Sequence, residues 1–202
     1  MKKKTKALML VLCAVLLVTA SVLGTMAYLT STDQVVNTFT VGKVAITLDE
    51  AKVDPDGTAV TPAERVKENA YHLLPGHTYT KDPTVHVQAN SEDSFIFVKV
   101  ENGIASYEAG TTIAAQIAAN GWQPLKDDKN VDVENVYYKT YTKSAESTDL
   151  PVFGNFTIAD NANATDGWNN FSAETKVTVT AYAVQKSGFN TAFDAWQATP
   201  GV

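Results

Sequence analysis

Apolar and polar residues alternate with a period of two along much of this chain, the pattern of strands with one face buried. Residues 36–48, VNTFTVGKVAITL, put Phe39 and Val41 on one parity and Val44, Ile46 and Leu48 on the other. Gly42 falls at the switch, where a bulge or bend is expected. Residues 84–87 and 94–100 alternate again: Val85 and Val87, then Phe95 and Phe97 opposite Ile96, Val98 and Val100. The polar run Asn90-Ser91-Glu92-Asp93 between them reads as a turn. Residues 136–142 are aromatic and β-favouring, and 151–158 form a shorter strand. Residues 176–184 set Val177, Val179, Ala181 and Ala183 against Thr178, Thr180, Tyr182 and Val184. Many short strands with polar turns predict an all-β protein, an antiparallel jelly-roll-like β-sandwich with a few short helices.

Three short helices are expected. Residues 112–120 carry Ile113 and Ile117 on one face, with Gly121 as the stop. The capping-box pattern Thr61-Pro62-Ala63-Glu64 predicts two turns over 62–69. Residues 190–198 are expected to lay Phe193 and Trp196 on the sandwich. Asp54-Pro55-Asp56-Gly57 reads as a turn and 160–170 as an exposed loop. There is no tandem repeat and no long linker, so residues 28–202 are read as one domain.

The N-terminus breaks this alternation. MKKKTK is followed by 17 residues without a charge, 7–23, and by the small-residue exit Gly24-Thr25-Met26-Ala27. A basic start, an apolar run and small residues at minus three and minus one describe a secretory signal peptide, residues 1–27, cut between Ala27 and Tyr28. The alternative is an uncleaved anchor, since ~17–25 apolar residues span a bilayer. No basic stop-transfer cluster follows, so the membrane is expected to be met only through the precursor's leader.

Cleavage changes the charge. Lys2, Lys3, Lys4 and Lys6 leave with the leader and no acid does, taking the net charge from −6 to −10. Such a surface repels phosphate backbones, which excludes nucleic acid as a partner. The single cysteine, Cys13, leaves as well. The mature protein then has no disulfide and no thiol chemistry.

Three blocks in order carry a resemblance. GTMAYLTSTDQVVNTFTVGKVAITL (24–48) places Ala27, Tyr28, Thr32-Asp33, Phe39 and Gly42 in sequence. LLPGHTYTKDPTVHVQANSEDSFIFVKV (73–100) has a Leu-x-Pro-Gly segment, Lys-Asp and two strands, and VTVTAYAVQKSGFNTAFDAW (177–196) a strand and tail. Together they resemble the TasA/camelysin (CalY) family, while residues 101–176 match nothing in it. The resemblance implies a jelly-roll fold, export with cleavage by the dedicated signal peptidase SipW, and a place in biofilm matrix fibres or at the cell surface. A β-favouring segment lying directly after the cut, with Tyr28, Val35, Val36, Phe39 and Val41, offers a physical route to self-association. It could add as a strand to the next subunit, head to tail, giving an open filament. Alternatively it is the first strand of its own sandwich.

Catalytic chemistry finds little support. A thermolysin-like zinc site needs two histidines four apart on one helix with a glutamate beside the first. His72, His77 and His86 do not have that spacing and are the only weak metal candidates. There is no Gly-x-Ser-x-Gly elbow and no phosphate loop. The 160–170 loop lacks the EF-hand order. No cofactor and no enzymatic activity are expected. The reading is a secreted structural protein of the cell surface or biofilm extracellular matrix, forming fibres by N-terminal strand addition. A camelysin-like surface metalloendopeptidase is one alternative. An adhesin or carbohydrate-binding module using Trp122, Trp168 or Trp196 is another.

Overall fold

The computed structural model describes residues 3–29, 42–164 and 175–199. The chain divides into two compact units, residues 1–40 and 41–202. The first contains one helix, α1 (Lys3–Leu29). Its apolar side chains between Leu8 and Val18 stand largely in the open, Leu8 71% and Leu17 72% exposed. Among the described residues no helix is long and apolar enough to cross a membrane.

The second unit is all-β with short helices. Its strands are β1 (Ile46–Ala51), β2 (Arg65–Val66), β3 (Thr78–Thr80), β4 (Thr84–Val87), β5 (Ser94–Asn102) and β6 (Glu108–Ala109). After helix α2 (Ile113–Ala119) come β7 (Gln123–Lys126), β8 (Asp132–Tyr141), β9 (Thr148–Pro151), β10 (Asn155–Ile158) and β11 (Val177–Gln185), then helix α3 (Ala192–Gln197). They form three antiparallel sheets, ordered β2-β1-β4-β9, β3-β10-β6 and β11-β5-β8-β7.

The two runs that alternate in sequence, β4 and β5, belong to different sheets. The polar turn between them therefore crosses the sandwich, with Asn90 at φ 61° and its N–H donating to Ser144 O at 2.8 Å. The main core lies between the sheets and takes Val85 and Val87 from β4 and Ile96, Val98 and Val100 from β5. Phe156 and Ile158 of β10 and Ile113 and Ile117 of α2 join it. A second core on the other face of β5 packs Phe95 and Phe97 against Leu125, Val136 and Trp196. Helix α3 covers that face. Its Thr191 and Asp194 form a reciprocal capping box, which starts the helix where the sequence places it.

One expected helix is absent. Thr61-Pro62-Ala63-Glu64 opens no helix over 62–69, because Arg65 and Val66 pair with Ala51 and Glu50 of β1. Glu64 is engaged there: its carbonyl accepts from Lys52 N at 2.8 Å and its carboxylate pairs with Lys52 Nζ at 2.8 Å. The acid that would close the capping box is held by the sheet instead. The shorter strand expected over 151–158 is two strands, β9 and β10, in different sheets, separated by the buried pair Val152 and Phe153.

Gly57 closes the expected turn after Asp54, with φ +79°. A Cβ there would lie 2.9 Å from the Tyr79 Cα, backbone that cannot move aside. Gly57→Ala is expected to destabilise the mature protein by about 1–3 kcal/mol in denaturant unfolding. Gly110→Ala is the control, since it has φ +65° and open space around it and carries the backbone penalty alone.

Candidate functional site

Edges decide what a β-protein can bind, because an unpaired edge offers a row of free N–H and C=O groups. Among the described residues five of the six outer strands are blunted. β2, β3 and β6 are two or three residues long. β7 carries Pro124 and Lys126 with a register shift between them, and β9 carries Asp149 and Pro151.

β11 differs. It is nine residues long, VTVTAYAVQ, without a charge or a proline. Among the described residues it is hydrogen-bonded along one side only, to β5 over the full run Val177↔Asn102 to Gln185↔Ser94. One face is apolar, with Val177, Val179, Ala181 and Ala183 reaching the main core; the other is mixed, Thr178 and Thr180 beside Tyr182 and Val184, which reach the second core. Yet none of its residues is fully buried, whereas six of the nine in β5 are. β11 has the composition of a central strand and the position of an edge strand.

The outer side of β1 is only partly covered, with the Leu48 carbonyl accepting from the Lys67 amine. β2 covers only Glu50 and Ala51, leaving Ile46–Asp49 paired to β4 alone among the described strands. A recess of about 220 Å³ lies between the two edges, lined by Leu48, Lys67, Pro83 and Val179. A second, of about 300 Å³, flanks the start of β11 with Tyr71, Leu73, Ile104, Phe156 and Val177 on its walls. Side-chain recesses therefore lie along the free side of β11. Alternate residues of an added strand would fill those recesses.

Of the residues expected to supply that strand, Tyr28 lies with Ala27 in the last turn of α1. Val35, Val36, Phe39 and Val41 lie outside the described residues.

The three histidines are placed apart. His72 is exposed, and its carbonyl accepts from the Tyr79 hydroxyl at 2.7 Å. His77 donates through Nε2 to the Asp56 carbonyl at 2.9 Å and sits edge-on to Tyr79. His86 lies on β4 between two carboxylates, Nδ1 2.6 Å from Asp149 Oδ1 on β9 and Nε2 2.9 Å from Asp49 Oδ1 on β1. Arg65 extends the chain of charges to Asp49 at 2.6 Å and Asp82 at 2.7 Å. Among the described residues no three His, Cys, Asp or Glu side chains are arranged to hold a metal ion.

Both ring nitrogens of His86 can donate only when the ring is protonated. Partial burial opposes that charge, but the bonds to Asp149 and Asp49 outweigh it and raise the pKa above 6.5. For Asp49, burial acts upward while Arg65 and His86 hold its carboxyl below 3.8. A raised histidine stabilises below its unfolded pKa and loses that contribution as pH rises through the folded one. A lowered carboxyl stabilises above its unfolded pKa and loses that contribution as pH falls through the folded one. Stability should therefore decline as pH rises from about 6.5, and His86→Gln should flatten that decline in melting curves taken across neutral pH.

Trp122 is 2% exposed and its Nε1 donates to Pro151 O at 2.8 Å, while Trp196 is 8% exposed in the second core. The two share no exposed face, and Trp168 lies outside the described residues. No family model, curated protein or solved structure matches this chain.

Proposed function

We propose that the protein is a secreted structural subunit of the cell surface or biofilm matrix, non-enzymatic, which polymerises by adding its N-terminal segment to the next copy. The observation that carries this reading is β11, an uncharged nine-residue edge with side chains in both cores that are only half covered. An edge of that kind invites a strand, and residues 28–41 are the β-favouring segment freed by cleavage after Ala27. The exposed apolar side chains of α1 suit a leader that travels in a hydrophobic environment during export. A SipW-type peptidase is its processing partner in this reading, and jelly-roll connectivity and an extracellular location belong to it too.

Strand addition between copies is a heterologous contact, and repetition of such a contact yields an open filament. Mature protein lacking residues 28–41 should remain a folded monomer and form no filaments in electron micrographs. Filaments that persist after the deletion would refute the assignment.

A further inference from the structure

Glu50 and Lys81, both buried, and the half-buried Asn69 make up a cluster that the fibre reading does not use. Glu50 is 4% and Lys81 9% exposed. One carboxylate holds both nitrogens: Lys81 Nζ donates to Glu50 Oε2 at 2.6 Å, and Asn69 Nδ2 donates to Glu50 Oε1 at 2.9 Å. The second Nδ2 hydrogen goes to Ala51 O at 2.9 Å, and Oδ1 accepts from Val53 N at 3.0 Å. The three bonds of the Asn69 amide fix which end is oxygen and which is nitrogen. The Tyr71 ring lies 5.8 Å from Nζ, and Ile104 and Phe156 line the recess beside the cluster. Burial, then the nearby Glu50 and Asp82, push the Tyr71 phenol well above its ordinary pKa, so it stays neutral.

A buried ion pair alone adds little to stability. Here the pair is accompanied by a carboxamide whose nitrogen hangs from the same carboxylate as the amine. An amine, an amide and an acid that bridges them are the components of an amide-exchange reaction.

We propose that Lys81 and Asn69 become joined by an intramolecular isopeptide bond, with Glu50 as the catalytic residue that shuttles protons. The reactive form is the neutral pair, reached when Lys81 Nζ passes a proton to Glu50 Oε2 along their hydrogen bond. The Nζ lone pair then attacks Asn69 Cγ, forming the N–C bond and moving the carbonyl electrons onto Oδ1. The Val53 N–H already donates to that oxygen and stabilises the developing charge. Glu50 gives its proton to Nδ2 and takes one from Nζ. The Cγ–Nδ2 bond breaks with its electron pair on nitrogen, and ammonia leaves, carrying off the remaining proton as ammonium. An alkylammonium and a carboxamide become a secondary amide and ammonium, without oxidant or cofactor. The bond closes a loop over residues 69–81, which contains Tyr79, and supplies a covalent staple to a mature chain that has no disulfide.

The inference stands apart from polymerisation and is tested separately. Full-length chain is expressed with export, and the mature protein is digested with trypsin and weighed. Lys67, Lys81 and Lys99 are the cleavage points around the cluster. The linked protein should give one cyclic peptide, residues 68–99, uncut at Lys81 and lighter than its sequence by one ammonia. Glu50→Gln keeps the shape but cannot relay the proton, and should give separate peptides 68–81 and 82–99 at full mass. Asn69→Asp should give the cyclic peptide lighter by water relative to its own sequence, a signature that a merely structural role would not produce. Wild-type protein yielding peptides 68–81 and 82–99 at full mass would overturn the proposal, and that result needs no variant to fold. A linked peptide undiminished in Glu50→Gln would overturn the role given to Glu50.

Discussion

A synthetic peptide of residues 28–41, added to mature protein that lacks them, is expected to raise its melting temperature by several degrees. The effect follows from the half-covered state of β11. Val177, Val179, Ala181 and Ala183 already touch the main core from one side, and a neighbouring strand would remove their remaining surface from water. Burial of apolar area is the dominant gain, and the edge hydrogen bonds fix the register. A ligand that binds only the folded state at about 100 times its Kd adds about 2.7 kcal/mol. In a domain of this size each kcal/mol moves the transition by roughly 2–4 °C, so a shift of about 5–10 °C is the expected scale. A scrambled peptide of the same composition should leave the transition in place. Equal behaviour of the two peptides would remove the physical basis of strand addition.

The second large effect concerns stability alone. Tyr79 is fully buried on β3, stacked on Phe156 with ring centroids 5.1 Å apart and edge-on to Tyr71 at 5.8 Å. Its hydroxyl donates to His72 O at 2.7 Å and accepts from Leu74 N at 2.6 Å, which ties the Leu-Leu-Pro-Gly segment to the core. Tyr79→Ala removes the ring and both bonds, and is expected to cost about 3–5 kcal/mol for the lost packing. The total stability of a domain is about 5–15 kcal/mol. Tyr79→Phe keeps the ring and strands two backbone groups, an expected loss of about 1–3 kcal/mol. Denaturant unfolding of the two variants separates packing from hydrogen bonding. Equal losses would show that the hydroxyl, rather than the ring, anchors this corner.

The alternation in β5 and β11 carries their orientation as well as their existence. Phe95 and Phe97 point to one core, Ile96 and Val98 to the other, as the period of two requires. Helix α3 was legible from its apolar pair Phe193 and Trp196, while its capping box, Thr191 and Asp194, came from the structure. The Thr61–Glu64 pattern misled because a local capping signal competes with long-range pairing, and β1 won the contest for Arg65 and Val66. β2, β3 and β6 are too short to show any period.

The site was less legible. The composition of β11 is visible in the chain, but its place at the edge depends on which strands pair, and pairing is non-local. The same holds for Asp49, His86 and Asp149, which sit at unrelated positions in sequence and meet only through the register of β1, β4 and β9. Glu50, Asn69 and Lys81 are separated by turns and a two-residue strand, and no spacing rule links them.

The most direct measurement uses protein that begins at Tyr28, which lacks the one cysteine of the sequence, Cys13. Single cysteines are placed in one set of molecules across residues 36–41 and in a second set along Val177–Gln185, and the two sets are mixed and oxidised. Strand addition between copies predicts disulfide-linked heterodimers for matched positions, and covalent ladders when both cysteines are on one chain. Double-cysteine protein that closes quantitatively on itself, with no heterodimer from any mixture, would place the segment in its own sandwich and contradict the fibre assignment.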